Sequence, residues 1–163
     1  MVDAYQDITI PFQMSSKEFF TLVKDHLTDD GVMIVNMNMR GQSEGSINDY
    51  LQDTIASVFD SVYTADVSGS TNRELFAFMG DTGLETFKEN LSLENDTELI
   101  NMMNKVYSDL SQKYAGGSRI LTDDKAPVEL LGMKVIDELI EDEVSYYKEI
   151  YKKEGIEGLL EAF

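Results

Sequence analysis

The sequence MVDAYQDITIPFQMSSKEFFTLVKDHLTDDGVMIVNMNM, residues 1–39, contains in order the end of a strand, a loop, a helix and a second strand. Ser15 followed three positions later by Glu18 fits a capping box, so a helix is predicted to start at Ser16. Its apolar residues recur at helical spacing and would form one buried face. They are Phe19, Phe20, Val23 and Leu27.

The end of this helix and the second strand follow directly. The helix is predicted to stop at Thr28–Gly31, with Gly31 in the left-handed conformation that ends helices at low cost. Val32–Val35 is a continuous apolar run, which is typical of a strand covered by helices on both faces. The stretch therefore predicts a strand, a helix and a second strand parallel to the first.

Asp3 follows the Met1–Val2 strand remnant directly. In parallel sheets of this kind ligands bind outside the carboxyl ends of the strands, so Asp3 and the loop Ala4–Phe12 are placed for chemistry. A carboxylate there can accept a proton from a reacting group. The alternative is structural: Asp3 hydrogen-bonds a loop amide or caps a turn.

Two groups of residues resemble spermidine synthase-like proteins, which are relatives of the S-adenosylmethionine methyltransferases. The first resembles the fourth strand, the following helix and the fifth strand of that family. It comprises Asp3-Ala4-Tyr5, Ile10-Pro11-Phe12, Glu18-Phe19-Phe20 and Gly31-Val32 leading into Val35-Asn36. The second is Leu121–Glu129, LTDDKAPVE, which resembles the family's L-T-D-D-x-A-P-V-E signature.

The resemblance implies a reaction and roles for residues. It implies aminopropyl transfer from decarboxylated S-adenosylmethionine to a diamine, with Asp3 as proton acceptor and Tyr5, Gln6 and Asp7 near the amine. Spermidine synthases usually show D-x-x-D-P here, whereas this chain has Gln6 at the second acidic position, Asp7 one step later and no proline after it. The acceptor amine therefore stays unassigned.

Asp123 and Asp124 offer a second acidic position. They precede Pro127, which suits the first turn of a helix, and acids near that end complement the helix dipole. Capping explains one of the two. By resemblance the segment returns to the active site, so we also expect Asp123 or Asp124 to bind the cationic substrate.

Composition limits the class of protein. The 163 residues hold 31 acidic and 13 basic side chains, a formal charge of −18, which repels nucleic acid and anionic membranes and attracts cations such as polyamines. Solubility alone is the other explanation of this charge. The absence of cysteine suits a reducing cytoplasm, and neither a signal peptide nor a membrane helix is predicted.

The remaining pattern completes the fold prediction. Ser46 is predicted to cap a helix, and the strands Ser61–Val67 and Glu74–Met79 are predicted to pair antiparallel because their connection is too short for a crossover. The fold class is α/β: a partial class I methyltransferase-like (Rossmann-like) sheet over residues 1–120, with a C-terminal antiparallel hairpin, and a helical C-terminal extension over 121–163. In that extension Tyr146, Tyr147 and Tyr151 fit either a partner surface or, as we favour, packing on the domain.

The family binds its nucleoside through a glycine-rich turn after the first strand, and no such turn is found near the start of this sequence. No permanently bound cofactor is predicted. S-adenosylmethionine or its decarboxylated form would be a co-substrate whose site lies mostly outside the chain. A fragment, one piece of a split enzyme and a non-catalytic domain all fit, and an uncovered sheet edge predicts self-association or pairing with a complementary N-terminal half.

Two other functions remain open. One is methyl transfer to a small molecule, since fold alone does not fix the reaction, and the other is a non-catalytic acidic interaction module. A metal site is not predicted, because the chain has no cysteine and one histidine, His26. We expect His26 to be a surface residue.

Overall fold

The computed structural model describes residues 1, 10–37, 44–67, 72–110 and 113–162. Within these ranges the chain is α/β. A short 3-10 helix at Phe12–Met14 is followed by α1 (Lys17–Asp25), β1 (Val32–Met37), α2 (Ile47–Ala56), β2 (Ser61–Asp66), β3 (Arg73–Phe78), α3 (Gly83–Leu93), α4 (Thr97–Asp109) and α5 (Val128–Ala162).

The three strands form one sheet in the order β1-β3-β2. β3 is antiparallel to both neighbours, with Leu75 opposite Val35 of β1 and Thr64 of β2. β1 and β2 therefore run parallel to each other with β3 between them. The predicted antiparallel hairpin is confirmed, and its strands end within one residue of the predicted bounds.

One face of the sheet forms the core. Met33, Val35 and Met37 of β1 are almost fully buried there, together with Phe20 of α1. The predicted cap of α2 is confirmed, since Ser46 accepts a hydrogen bond from the Asp49 N–H. Its buried apolar residues are Ile47, Leu51 and Ile55.

β1 differs from its prediction. Its burial alternates along the strand: Met33, Val35 and Met37 are buried, whereas Val32 is 39% exposed and Ile34 is half-buried. The apolar run is therefore not covered equally on both faces by the described residues. The predicted parallel neighbour at Met1–Val2 involves a residue outside the described ranges.

The start of α1 corrects the predicted cap. Ser16, not Ser15, is the N-cap, and its Oγ accepts a hydrogen bond from the Phe19 N–H over 3.2 Å. The Ser15 hydroxyl instead donates to the Phe12 carbonyl over 2.8 Å. Ser15 therefore closes the 3-10 turn that precedes the helix.

The end of α1 corrects the predicted role of Gly31. The helix stops at Asp25 with His26 as C-cap, and Gly31 is not among the glycines with positive φ. A Cβ on Gly31 would lie 2.8 Å from the Leu27 Cβ and 2.9 Å from the Thr28 carbonyl oxygen. Close packing, rather than backbone handedness, is what requires glycine here.

The C-terminal half is helical. α4 ends at Asp109, and neither α3 nor α4 has a fully buried residue. α5 is broken at Gly155, which has φ 70° and ψ −155°. No helix in the described ranges is both long and apolar enough to cross a lipid bilayer.

Candidate functional site

The order of the elements and their short connections place the starts of α1 and α2 toward one end of the sheet. Phe20 of α1 packs in the core with β1, and six residues connect the two elements, so α1 lies on the sheet and runs antiparallel to β1. The N-terminus of α1 is therefore at the carboxyl end of β1. α2 follows β1 directly, and its capped N-terminus at Ser46 starts from the same end.

The turn Thr122–Lys125 is docked beside the start of α1. Thr122 and Lys125 exchange backbone hydrogen bonds of 3.3 and 2.9 Å, which close the turn around Asp123 and Asp124. The Asp123 N–H donates to Oε2 of Glu18 over 3.1 Å. Glu18 belongs to the first turn of α1, so the turn lies beside the start of that helix.

Leu121 anchors the turn to α1 and α2. Its N–H donates to the Thr54 hydroxyl of α2 over 2.9 Å, and its carbonyl accepts from the Lys17 N–H of α1 over 2.8 Å. Its side chain is fully buried in the core. Leu121 thus joins α1, α2 and the turn.

Asp123 and Asp124 are both exposed. α5 begins only at Val128, with the Pro127 carbonyl accepting from the Leu131 N–H over 3.0 Å. Within the described ranges neither carboxylate is bonded to the first turn of α5, so capping does not account for them. The two acids are instead exposed on a turn docked beside the start of α1.

The other predicted site residues are Asp3, Tyr5, Gln6 and Asp7. All four lie outside the described residues, so their roles stay predictions. The described chain resumes at Ile10, which is 6% exposed and part of the core. It then enters α1, whose first turn contacts the docked turn through Glu18.

Two polar residues at this end were missed from the sequence. Asn36 of β1 lies opposite Glu74 of β3 in the register, and both side chains are half-buried. One residue further along, Nε of Arg73 and Oδ1 of Asp66 form an ion pair of 2.7 Å. Alternation within β3 places Glu74 on the face away from the core, but only the observed register pairs it with Asn36.

A buried carboxylate holds the segment that leads to the turn. Asp53 of α2 is fully buried and accepts the Tyr114 hydroxyl over 2.5 Å and the Arg119 N–H over 3.0 Å. The Arg119 guanidinium lies 3.7 Å from the same carboxylate. A Cβ on Gly117 would lie 2.4 Å from both carboxylate oxygens, so only glycine fits there.

The pKa of Tyr114 is shifted within this cluster. Burial first, and then the hydrogen bond to Asp53, raise the pKa of Tyr114 to about 12. Tyr114 therefore stays a neutral donor at physiological pH. Sequence analysis did not find the cluster, because Asp53 and Arg119 are 66 positions apart and no local motif connects them.

No group of three or more His, Cys, Asp or Glu side chains within the described ranges is arranged to hold a metal ion. His26 is exposed, and its Nδ1 lies 2.8 Å from the Leu22 carbonyl oxygen. The expected surface position of His26 is confirmed. The chemistry available at the candidate site is that of carboxylates on a rigid frame: binding a cation and accepting a proton.

Comparison with known proteins gives one curated relative. The "Probable polyamine aminopropyl transferase" of Bifidobacterium longum (strain NCC 2705) is 49% identical over 182 aligned residues, which cover 99% of this chain and 40% of that protein. The chain therefore spans less than half the length of the relative it matches. No family model matches the chain, and no solved structure matches it.

Proposed function

The chain is a relative of the spermidine synthase-like proteins, and from this premise we propose that it forms part of a polyamine aminopropyl transferase. The observation that carries the proposal is the 49% identity, which extends over 99% of the chain. A match of that length includes both the loop that bears Asp3 and the docked turn that bears Asp123 and Asp124. Because the match covers 40% of the relative, the activity proposed is that of the whole protein.

We further propose that the sheet is part of a class I methyltransferase-like, Rossmann-like fold. The support is the strand arrangement, in which the antiparallel β3 lies between the parallel strands β1 and β2. The starts of α1 and α2 at the carboxyl end of β1 are also what such a fold requires of a ligand site. In this arrangement the co-substrate would be S-adenosylmethionine in its decarboxylated form.

The proposed reaction is a nucleophilic substitution at carbon. The neutral amine of the diamine attacks the aminopropyl carbon next to the sulfonium, a C–N bond forms, the C–S bond breaks, and methylthioadenosine leaves with the electron pair. The attacking nitrogen loses one proton, which Asp3 accepts. An amine attacks only when unprotonated, so a carboxylate within hydrogen-bond reach is needed.

The diamine also needs a site for its second, charged end. Asp123 and Asp124 are exposed on a turn whose backbone five hydrogen bonds hold in place, and no described neighbour neutralises their charges. Tyr5, Gln6 and Asp7 would complete the pocket. The formal charge of −18 favours small cationic partners over nucleic acid, and we place the protein in the cytoplasm because the chain has no cysteine.

The experiment is a hybrid enzyme. This chain replaces the matching segment of the Bifidobacterium protein, and release of methylthioadenosine is measured with decarboxylated S-adenosylmethionine and a panel of diamines. We expect turnover, and we expect Asp3→Asn to lower kcat by on the order of 100-fold or more, the range for loss of a general base. Asp29→Asn, an exposed acid in the α1–β1 connection, is the matched control.

Separate variants test the turn. Asp123→Asn and Asp124→Asn should raise the KM for the diamine and leave the KM for the co-substrate unchanged. A folded hybrid that releases no methylthioadenosine with any diamine would refute the transferase assignment. Methyl transfer from S-adenosylmethionine by the same hybrid would replace it with the methyltransferase alternative.

A further inference from the structure

An exposed apolar stripe follows the long helix α5. Met133, Ile140, Val144 and Tyr151 are 59%, 53%, 44% and 54% exposed, and their spacing is seven, four and seven residues. They occupy the two inward positions of a heptad repeat, which align on one side of a helix. Such a stripe is the seam by which helices pair.

The helix is long enough to project from the domain. Its first turns enter the core through the buried Val128 and the half-buried Leu131. From Val128 to the break at Gly155 it measures about 40 Å at 1.5 Å per residue. The stripe lies in the middle of this length.

The charges beside the stripe are divided along the helix. The segment 137–143 carries five acidic side chains and no basic one, whereas the segment 148–153 carries three lysines and one glutamate. Laid antiparallel, two copies of the helix bring the acidic segment of each against the basic segment of the other. Laid parallel, they bring acidic against acidic and basic against basic, which is unfavourable.

We propose that α5 pairs with α5 of a second copy of this chain, antiparallel, about a two-fold axis near Val144–Tyr147. In this register Ile140 lies opposite Tyr151 of the second copy, and Val144 lies opposite its Tyr147. Asp137 lies opposite Glu154 and limits the paired region to residues 140–151. A two-fold axis makes every contact occur twice.

The separation of acidic and basic residues along α5 is the reason to propose a second copy of this chain as its partner. Glu141 and Lys148 both occupy the heptad position next to the seam, and in the antiparallel register each lies opposite the other in the second helix. A surface that is complementary to itself in this way fits its own copy, because residues at these flanking positions set partner and orientation. The apolar residues of the stripe become buried in the pair, and the charged residues beside them favour the antiparallel direction.

A charge swap tests the pairing in the full chain. Glu141→Lys and Lys148→Glu each place like charges together at two symmetric sites, and each should weaken dimerisation by about tenfold or more in sedimentation equilibrium. The double variant Glu141→Lys/Lys148→Glu should restore the dimer. Lys105→Glu, an exposed charge change on α4, should leave it unchanged.

Cross-linking tests the direction, because the chain has no native cysteine. In the antiparallel register the two copies of residue 144 are offset by about 4.5 Å along the axis and those of residue 133 by about 37 Å. A short bis-maleimide should therefore join Val144→Cys but not Met133→Cys. Cross-linking of both variants would mean a parallel pair, and a monomer at on the order of 1 mM, or charge swaps without effect, would overturn the proposal.

Discussion

Glu18 and Asp123 are joined by a hydrogen bond of 3.1 Å from the Asp123 N–H to the Glu18 Oε2, across 105 positions of sequence. Glu18 also lies in the first turn of α1, where a negative charge complements the helix dipole. One carboxylate thus stabilises a helix and holds the turn that carries two candidate substrate acids.

Glu18→Ala should therefore have two effects. Loss of the hydrogen bond and of the dipole interaction should lower the free energy of unfolding by about 1 kcal/mol, measured by urea denaturation. The freed turn should also raise the KM for diamine in the hybrid enzyme. Asp25→Ala, at the opposite end of the same helix, is the control, and an equal effect of both variants would contradict a specific role for Glu18.

Asp53→Ala should be the most destabilising single change in the segment before the turn. It leaves the Tyr114 hydroxyl and the Arg119 N–H without their acceptor and removes the carboxylate that faces the Arg119 guanidinium. The expected loss is about 3 kcal/mol, as for breaking a buried charged pair. Thermal unfolding would measure it, with Asp29→Ala as control; a loss no larger than the control's would mean that the cluster is not buried in solution.

Tyr114 should make stability depend on alkaline pH. Its pKa is raised to about 12 by burial and by the hydrogen bond to Asp53, whereas an unfolded tyrosine ionises near pH 10. The folded state binds this proton more tightly, so the stabilisation is fully present below pH 10 and is lost as the pH rises from 10 to about 12. Tyr114→Phe should remove this part of the pH dependence of urea unfolding, and the exposed Tyr146→Phe should retain it.

Substitutions of Gly31 distinguish between two explanations of why glycine is required after α1. If glycine is needed to avoid the Leu27 Cβ and the Thr28 carbonyl, then Gly31→Ala should destabilise the protein by about 1–3 kcal/mol and the larger Gly31→Asn at least as much. If a left-handed backbone were the reason, asparagine would be tolerated better than alanine. Calorimetric comparison of the two variants decides between them.

The elements that sequence predicted well are those defined by local chemistry. Ser46 was identified as a cap because its hydroxyl binds an N–H three residues away, and the β2–β3 hairpin followed from a connection too short for any other topology. The family resemblance, which rested on two short motifs, is confirmed by the curated relative. α2 and the break at Gly155 were predicted for similarly local reasons.

What sequence could not supply depends on distant partners. Ser15 and Ser16 are chemically equivalent neighbours, and only the 3-10 turn at Phe12 assigns them different roles. The Asn36–Glu74 pair depends on sheet register. The Asp53 cluster depends on a segment more than 60 residues away. The division of the chain at residue 120 and the roles of Asp3, Tyr5, Gln6 and Asp7 stay predictions.

The anchoring of Leu121, whose N–H donates to the Thr54 hydroxyl and whose carbonyl accepts from the Lys17 N–H, has a kinetic consequence for the proposed binding of a diamine. If Asp123 and Asp124 bind the diamine as proposed, the backbone that carries them is already in place, and the dication spends none of its affinity on ordering that turn. Association should then proceed in a single step whose rate rises linearly with diamine concentration and falls as salt is added.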